Sequence, residues 1–254
     1  MTALDQWQAE LEAWAIPDEI LAQAPEPPWG FPVELFRADA ENPHSPSRDV
    51  ALEELGAGGS VLDVGCGGGA ASFALVPPAS LVVGVDSSAD MLREYAATAD
   101  ARGVTYREML GAWPDVAGDE KFDVVVCHHV FYNVADLVPF VCALDDAAIG
   151  RVVVELTATH PLTASAPLWR HFYGIERPQG PTAELAIEVL RDIGITPQVR
   201  EWSRAPRNVP REAYVRLNRR RLCLPVEAEP EVDRHMADPS TTSRDVVTIW
   251  WDGS

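Results

Sequence analysis

Two short segments carry side chains able to do chemistry. The first is Asp63-x-Gly65-x-Gly67-x-Gly69, inside VLDVGCGGGAASFAL (61–75). Glycines allow positive φ and let a ligand approach the backbone closely. The helix that follows such a turn leaves N–H groups free at its start. The second segment is CHHVFYN, Cys127 to Asn133. A cysteine and two adjacent histidines suit a metal site, a proton-transfer site or a packed strand end. Adjacent histidines on one short turn diverge, so further ligands would have to come from elsewhere. The four cysteines, Cys66, Cys127, Cys142 and Cys223, form no C-x-x-C pair and no zinc-type spacing. No metal is assigned. An imidazole titrates near neutrality, so His129 is the candidate general base or hydrogen-bond partner of a substrate. The bland alternative is a histidine satisfied by backbone carbonyls. His128 is the candidate for contact with a cofactor and the second catalytic candidate. Tyr132 and Asn133 are candidate substrate contacts or simple helix caps.

These segments need a frame. Apolar runs at VLDV (61–64), LVVGVD (81–86), VTYREM (104–109), FDVVVC (122–127), RVVVELT (151–157), TPQVREWS (196–203) and VVTIWW (246–251) predict seven strands. The continuously apolar middle of the fourth predicts a strand covered on both faces. Helical patterns lie between them: about 88–101, 134–146 and 181–193, the last stopped by Gly194. Strands alternating with helices predict a mostly parallel α/β sheet with helices on both faces. Before the first strand, Leu4, Trp7, Leu11 and Trp14 make a helix face. Pro17 opens a short helix, PVELFRADA (32–40) reads as another, and Ser45 caps the next. Residues 1–45 are read as an N-terminal helical lid and 46–254 as one domain. Two stretches break the alternation, 158–180 and 204–244. Such long connections predict cap insertions over a pocket. Glu155, inside the fifth strand beside valines, must be paired or border that pocket, because an unpaired buried charge is costly.

The glycine turn admits two cofactors. Gly65, Gly67 and Ala70 satisfy the dinucleotide pattern G-x-G-x-x-G/A, with Asp86 then holding a ribose. S-adenosylmethionine is favoured by three features: the acid at Asp63, which would repel a pyrophosphate but suits an ammonium group; the absence of a basic group after the turn; and a last strand reached by a non-helical return.

The motifs DVGCGGG, GVDSS and FDVVV, in this order and spacing, resemble the class I S-adenosylmethionine-dependent methyltransferases, in an actinobacterial-type small-molecule branch. The resemblance covers about 48–157 clearly and 181–251 in strand order. It implies a Rossmann-like seven-stranded sheet of order 3-2-1-4-5-7-6 with the last strand antiparallel. It further implies that Gly65, Cys66, Gly67 and Gly69 lie against the amino-acid part of the cofactor and that Asp63 supports its ammonium. By the same resemblance Asp86 accepts hydrogen bonds from both ribose hydroxyls, and Ser87 and Met91 flank the adenine. The acid that the family usually carries after strand three is missing. Leu110-Gly111-Ala112-Trp113 stands there instead, so Gly111, Ala112 and Trp113 become the adenine-side candidates. Arg48, with Arg37 second, is the candidate cation for the cofactor carboxylate. Trp29, Phe31 and His160 join Tyr132 and Asn133 as substrate-side candidates, and His160 and His171 are second-rank bases.

The expected activity is methyl transfer to oxygen or nitrogen of a small molecule, with S-adenosylhomocysteine as product. The competing readings are a non-catalytic binding protein that keeps the cofactor site, and an NAD(P)-dependent oxidoreductase. A formal net charge of −19 argues against a nucleic-acid partner. The N-terminus has no signal-peptide pattern and no apolar run is long enough for a bilayer, so a cytoplasmic monomer or homodimer with no membrane partner is expected.

Overall fold

A computed structural model describes residues 1–29, 44–206, 210–238 and 241–253. Its strands are β1 (Ser60–Val64), β2 (Leu81–Asp86), β3 (Tyr106–Leu110), β4 (Phe122–His128), β5 (Ala148–Thr157), β6 (Gln198–Arg204) and β7 (Arg244–Asp252). They form one sheet of order β3-β2-β1-β4-β5-β7-β6. β1 to β5 pair in parallel, and β7 runs antiparallel to both β5 and β6. This is the order and polarity that the family resemblance implies.

The helices are α1 (Ala3–Glu12), α2 (Asp18–Leu21), α3 (Pro46–Glu54), α4 (Ala70–Phe73), α5 (Ala89–Arg102), α6 (Leu137–Asp146), α7 (Ala166–Tyr173), α8 (Ala183–Asp192), α9 (Arg211–Arg221) and α10 (Glu229–His235). Several begin where a side-chain oxygen takes a free N–H. Thr2 forms a capping box with Asp5, Ser45 caps α3 and Thr182 caps α8. Asp136 caps α6 through Val138 N–H. That moves the start of this helix from the expected 134 to 137.

Alternation along each strand divides the core into two layers. Leu62, Val83, Val125, Cys127, Val152 and Val154 face α1, α6 and α8. Val61, Val82, Val124, Val126 and Val153 face α3, α4 and α5. Trp7 is fully buried in the first layer and its indole N–H bonds the Val134 carbonyl at 2.8 Å. α1 therefore belongs to the body of the domain, where the sequence suggested a lid. A third cluster joins α2, α7, α9 and α10 through Ile20, Leu168, Trp169, Val215, Leu222 and Val232. It draws both of the expected cap insertions into one helical layer. The helix expected at 32–40, with Phe31 and Arg37, lies outside the described residues. No helix among the described residues is long and apolar enough to cross a membrane.

Candidate functional site

β1 delivers the chain into a turn whose backbone is set by its glycines. Gly65 has φ +72° and a Cβ there would clash with the Val130 side chain, so the glycine turn touches the segment just past His129. Gly67 has φ +51° and opens onto free space, with nothing within 4 Å of where its Cβ would stand. A backbone bare on that side is a cradle that a ligand can fill. Gly69 begins α4.

Asp86, at the end of β2, holds the turn from beside it. Its Oδ2 accepts Gly67 N–H at 3.0 Å and its Oδ1 accepts Ser88 N–H at 2.8 Å. A carboxylate has about four lone-pair positions, so acceptor capacity remains for hydroxyls. Asp63 lies deeper. It is 1 % exposed and accepts the N–H and O–H of Ser72 at 3.2 and 2.7 Å. Burial pushes its carboxyl up to about 6. It holds the first turn of α4 beneath the glycines, so any ammonium contact would be indirect. Cys66 is buried, with its thiol directed at its neighbour's carbonyl and pushed up by burial.

On the adenine side, Gly111 N–H bonds the Asp86 carbonyl at 3.0 Å and brings the end of β3 against β2, with Ala112 following. Trp113 donates to the Phe140 carbonyl at 3.3 Å and packs on the core. Ser87 is exposed and Met91 is buried at the start of α5.

At the ends of β4 and β5 a polar network is built across four strands and a helix. His128 pairs with Glu155, and Glu155 with Thr248, in the sheet register. Glu155 is 1 % exposed. Its carboxylate accepts Ser47 O–H at 2.7 Å, His129 Nε2–H at 2.9 Å, and a guanidinium N–H of Arg204. Ser47 meets Thr248 Oγ1 at 2.7 Å, and Trp202 Nε1–H donates to Thr248 Oγ1 at 3.1 Å. Burial alone would raise the Glu155 carboxyl; His128, His129 and Arg204 outweigh it and hold it well below the usual carboxylate range.

His129 sits at φ +62°, rare for a residue with a side chain and frequent at functional sites. Its N–H bonds the Glu155 carbonyl at 2.7 Å. Nε2 also lies 3.2 Å from Arg204 Nη1. One nitrogen cannot donate to Glu155 and accept from Arg204 together. A lone pair facing a carboxylate at 2.9 Å is repulsive, so the proton belongs on Nε2. Nδ1 is then the basic nitrogen. His128 differs: burial pushes its imidazole down to about 4, and its Nε2 is buried with no hydrogen-bond partner among the described residues. A buried polar atom without a partner is unfavourable, and a bound ligand could satisfy it.

Other sequence candidates are placed elsewhere. Tyr132 is 5 % exposed, stacks on Trp7 at 5.6 Å, and donates its O–H to the Thr157 carbonyl. His160 is 4 % exposed, stacks on Trp14 at 4.6 Å, and its Nδ1 accepts Leu162 N–H. Tyr132 thus packs into the first core layer, and His160 packs on Trp14 outside it. Arg48 donates Nε–H to the Ala74 carbonyl at 2.9 Å, which ties α3 to the end of α4 rather than presenting a free cation. Asn133 is exposed and bonds the Val130 carbonyl; Trp29 is half exposed. Sequence reasoning missed Arg204, Ser47, Thr248 and Trp202, whose partners come from distant strands.

The buried histidines predict an acid-sensitive fold. His128 and His160 are both depressed by burial from 6.5 to about 4. Below about pH 6.5 the unfolded chain binds protons that the fold refuses, so stability falls as pH drops. Asp63, raised to about 6, works in the opposite sense over the same window. Two histidines against one carboxylate leave a net decline. Urea midpoints measured between about pH 7 and pH 4.5 should fall steadily, and more steeply in Asp63→Asn. A flat or rising profile would refute this account.

Residues 61–144 match a family model described as "Methyltransferase domain". The chain is 38% identical over 96 residues to a ubiquinone biosynthesis O-methyltransferase of Methylobacterium sp. (strain 4-46), covering 37% of this chain and 38% of that protein. A protein of the same name from Pasteurella multocida (strain Pm70) is 34% identical over 90 residues, 31% of this chain and 37% of that one. The chain thus spans under two fifths of the length of these relatives. Among solved structures, the YcgJ protein of Bacillus subtilis superposes with TM-score 0.56 at 18% identity, over 83% of this chain and 99% of that one. An S-adenosylmethionine-dependent methyltransferase of Thiobacillus denitrificans, solved with S-adenosyl-L-homocysteine, gives 0.53 at 15% identity, over 85% and 95%. At such identities the likeness concerns the fold.

Proposed function

We propose that this chain, a member of the class I S-adenosylmethionine-dependent methyltransferase family, methylates a small molecule at a hydroxyl group, with an N–H acceptor as the second choice. The supporting observation is the joint between the two halves of the site. The Gly65–Gly69 turn, tied to Asp86, presses against Val130, one residue from the His129–Glu155–Arg204 network.

The donor set fits the cofactor. Gly67 offers a bare backbone, Asp86 an acceptor for ribose hydroxyls, and His128 Nε2 an unmatched buried polar atom at the end of β4. No phosphate-binding cation follows the glycines. When bound, S-adenosylmethionine supplies an electrophilic methyl group on a sulfonium with a neutral leaving group. The chain has to align the acceptor, exclude water, and take one proton. His129 Nδ1 is the group proposed to take it. Glu155 fixes the tautomer through Nε2 and stabilises the imidazolium that results. A hydroxyl acceptor needs such a base. The names of the two matched relatives, both O-methyltransferases, support the same choice. The net charge of −19 favours a small neutral or cationic acceptor over nucleic acid. Four unpaired cysteines accord with a reducing compartment, and we place the protein in the cytoplasm.

The test is turnover to S-adenosylhomocysteine across a panel of hydroxylated and amine metabolites. His129→Ala should lower kcat by about 10²–10⁴, with S-adenosylhomocysteine affinity changed less than about threefold. Undiminished turnover in His129→Ala would end the base assignment. Thermal stabilisation by NAD(P) and none by S-adenosylhomocysteine would overturn the whole reading. Cofactor binding with no acceptor consumed across the panel would favour a non-catalytic binding protein.

A further inference from the structure

The helical layer formed by α7, α9 and α10 contains a second cluster of ligand-type side chains, which methyl transfer does not use. His171 lies on α7, and Glu231 and His235 lie four residues apart on α10. One nitrogen of each histidine and one Glu231 oxygen all lie within 4.8 Å of one another. His171 Nε2 stands 2.8 Å from Glu231 Oε1. The two imidazole rings stack with centroids 3.8 Å apart and planes 24° from parallel. We propose that His171, Glu231 and His235 bind a divalent cation of the zinc class, which staples the two cap insertions together.

Three features carry this. The first is spacing: residues i and i+4 on a helix present neighbouring side chains on one face, and α7 supplies the third group from across the interface. The second is donor chemistry. Two imidazoles and one carboxylate, with the fourth position open to water, form a standard three-ligand set for tetrahedral zinc. The third is support. Leu168 and Trp169 of α7 pack with Val232 of α10 in one buried cluster, so the two backbones are held in place without the ion. Binding therefore does not have to order the helices first.

The competing account is a plain His171–Glu231 ion pair with His235 stacked on it. Arg234 lies nearby and adds positive charge to the cluster. The ion pair needs only two of the three side chains, whereas a shared cation accounts for the convergence of all three ligand atoms within 4.8 Å. Sequence spacing could not show this site, because His171 and Glu231 are 60 positions apart.

The experiment uses the whole chain without a histidine tag, stripped with chelator and dialysed. Zn²⁺ should bind at one equivalent by calorimetry and raise Tm. Co²⁺ should give the intense visible absorption of a tetrahedral site. His235→Ala and Glu231→Gln should each weaken Zn²⁺ binding by about 100-fold or more, beyond the roughly 10–100-fold typical of losing a mere supporting partner of a ligand. Unfolding of each variant in chelator should match the parent, which shows that the fold is intact. Absence of saturable one-equivalent binding, an octahedral Co²⁺ spectrum, or equal affinity in parent and variants would each overturn the proposal. The assay reads metal alone, so it is independent of the methyltransferase reading.

Discussion

Asp86→Ala should remove most of the affinity for S-adenosylhomocysteine. By the family resemblance, this carboxylate accepts both ribose hydroxyls. A hydrogen bond to a charged group contributes about 1.5–3 kcal/mol. Two of them come to at least about 3 kcal/mol, and every 1.4 kcal/mol is tenfold. A loss of about 100-fold or more follows. The structure adds a second reason. Asp86 also accepts Gly67 N–H at 3.0 Å and Ser88 N–H at 2.8 Å, so its removal releases the turn as well as the sugar. Asp86→Asn separates these effects. One amide oxygen can still accept Ser88 N–H, but the NH₂ group meets Gly67 N–H donor to donor. Asn should therefore bind nearly as poorly as Ala. Calorimetric titration with S-adenosylhomocysteine checks this, with urea unfolding of the free proteins as control. Affinity within about threefold of the parent in Asp86→Ala would remove Asp86 from the cofactor site.

Much of this site was legible in the sequence because its signals are local. A strand ending in Asp63-x-Gly65-x-Gly67-x-Gly69 and a strand ending in Asp86 are short apolar runs followed by the residues that the family resemblance assigns to the cofactor. The sheet order followed from the resemblance and is the one observed. What escaped is non-local. Glu155 was recognisable as a carboxylate needing a partner, but Arg204 comes from β6, 49 residues later, and Ser47 from α3, 108 residues earlier. Tyr132 and His160 sit at strand ends, where sequence places substrate contacts. Position along a strand does not say which face a side chain takes once the chain leaves the pleat. Here Trp7 stacks on Tyr132 and Trp14 stacks on His160. Arg48 shows the same limit: a guanidinium near the glycine turn reads as a ligand cation until the Ala74 carbonyl claims it.

The network around Glu155 also decides how the proposed base would work, and Glu155 is the place to break it. Glu155→Ala leaves Arg204, Ser47 and Thr248 around an empty polar site. Removing one partner of a buried ion pair typically costs about 3–5 kcal/mol. For a domain of this size each kcal/mol shifts Tm by about 2–4 °C, so Tm should fall by roughly 6–20 °C. Glu155→Gln is the more informative change. It keeps the volume and one acceptor oxygen but removes the charge that selects Nε2–H on His129 and would stabilise its protonated form. As Glu155 acts through His129, kcat should fall by about 10²-fold or more, as expected for general-base catalysis, while the KM for S-adenosylmethionine stays near the parent value. A merely structural role would instead leave the folded fraction fully active. The pH dependence has a definite sign. The Glu155 carboxyl is depressed in the folded state. Its stabilisation is therefore complete above the unfolded carboxylate value of about 4.3 and is lost as pH falls towards the folded one. The stability gap between parent and Glu155→Gln should be open at neutral pH and should narrow steadily below about pH 4. A gap that is absent at neutral pH, or that widens in acid, would show that Glu155 is not the ionised centre of the network, and His129 would lose its orienting partner as well.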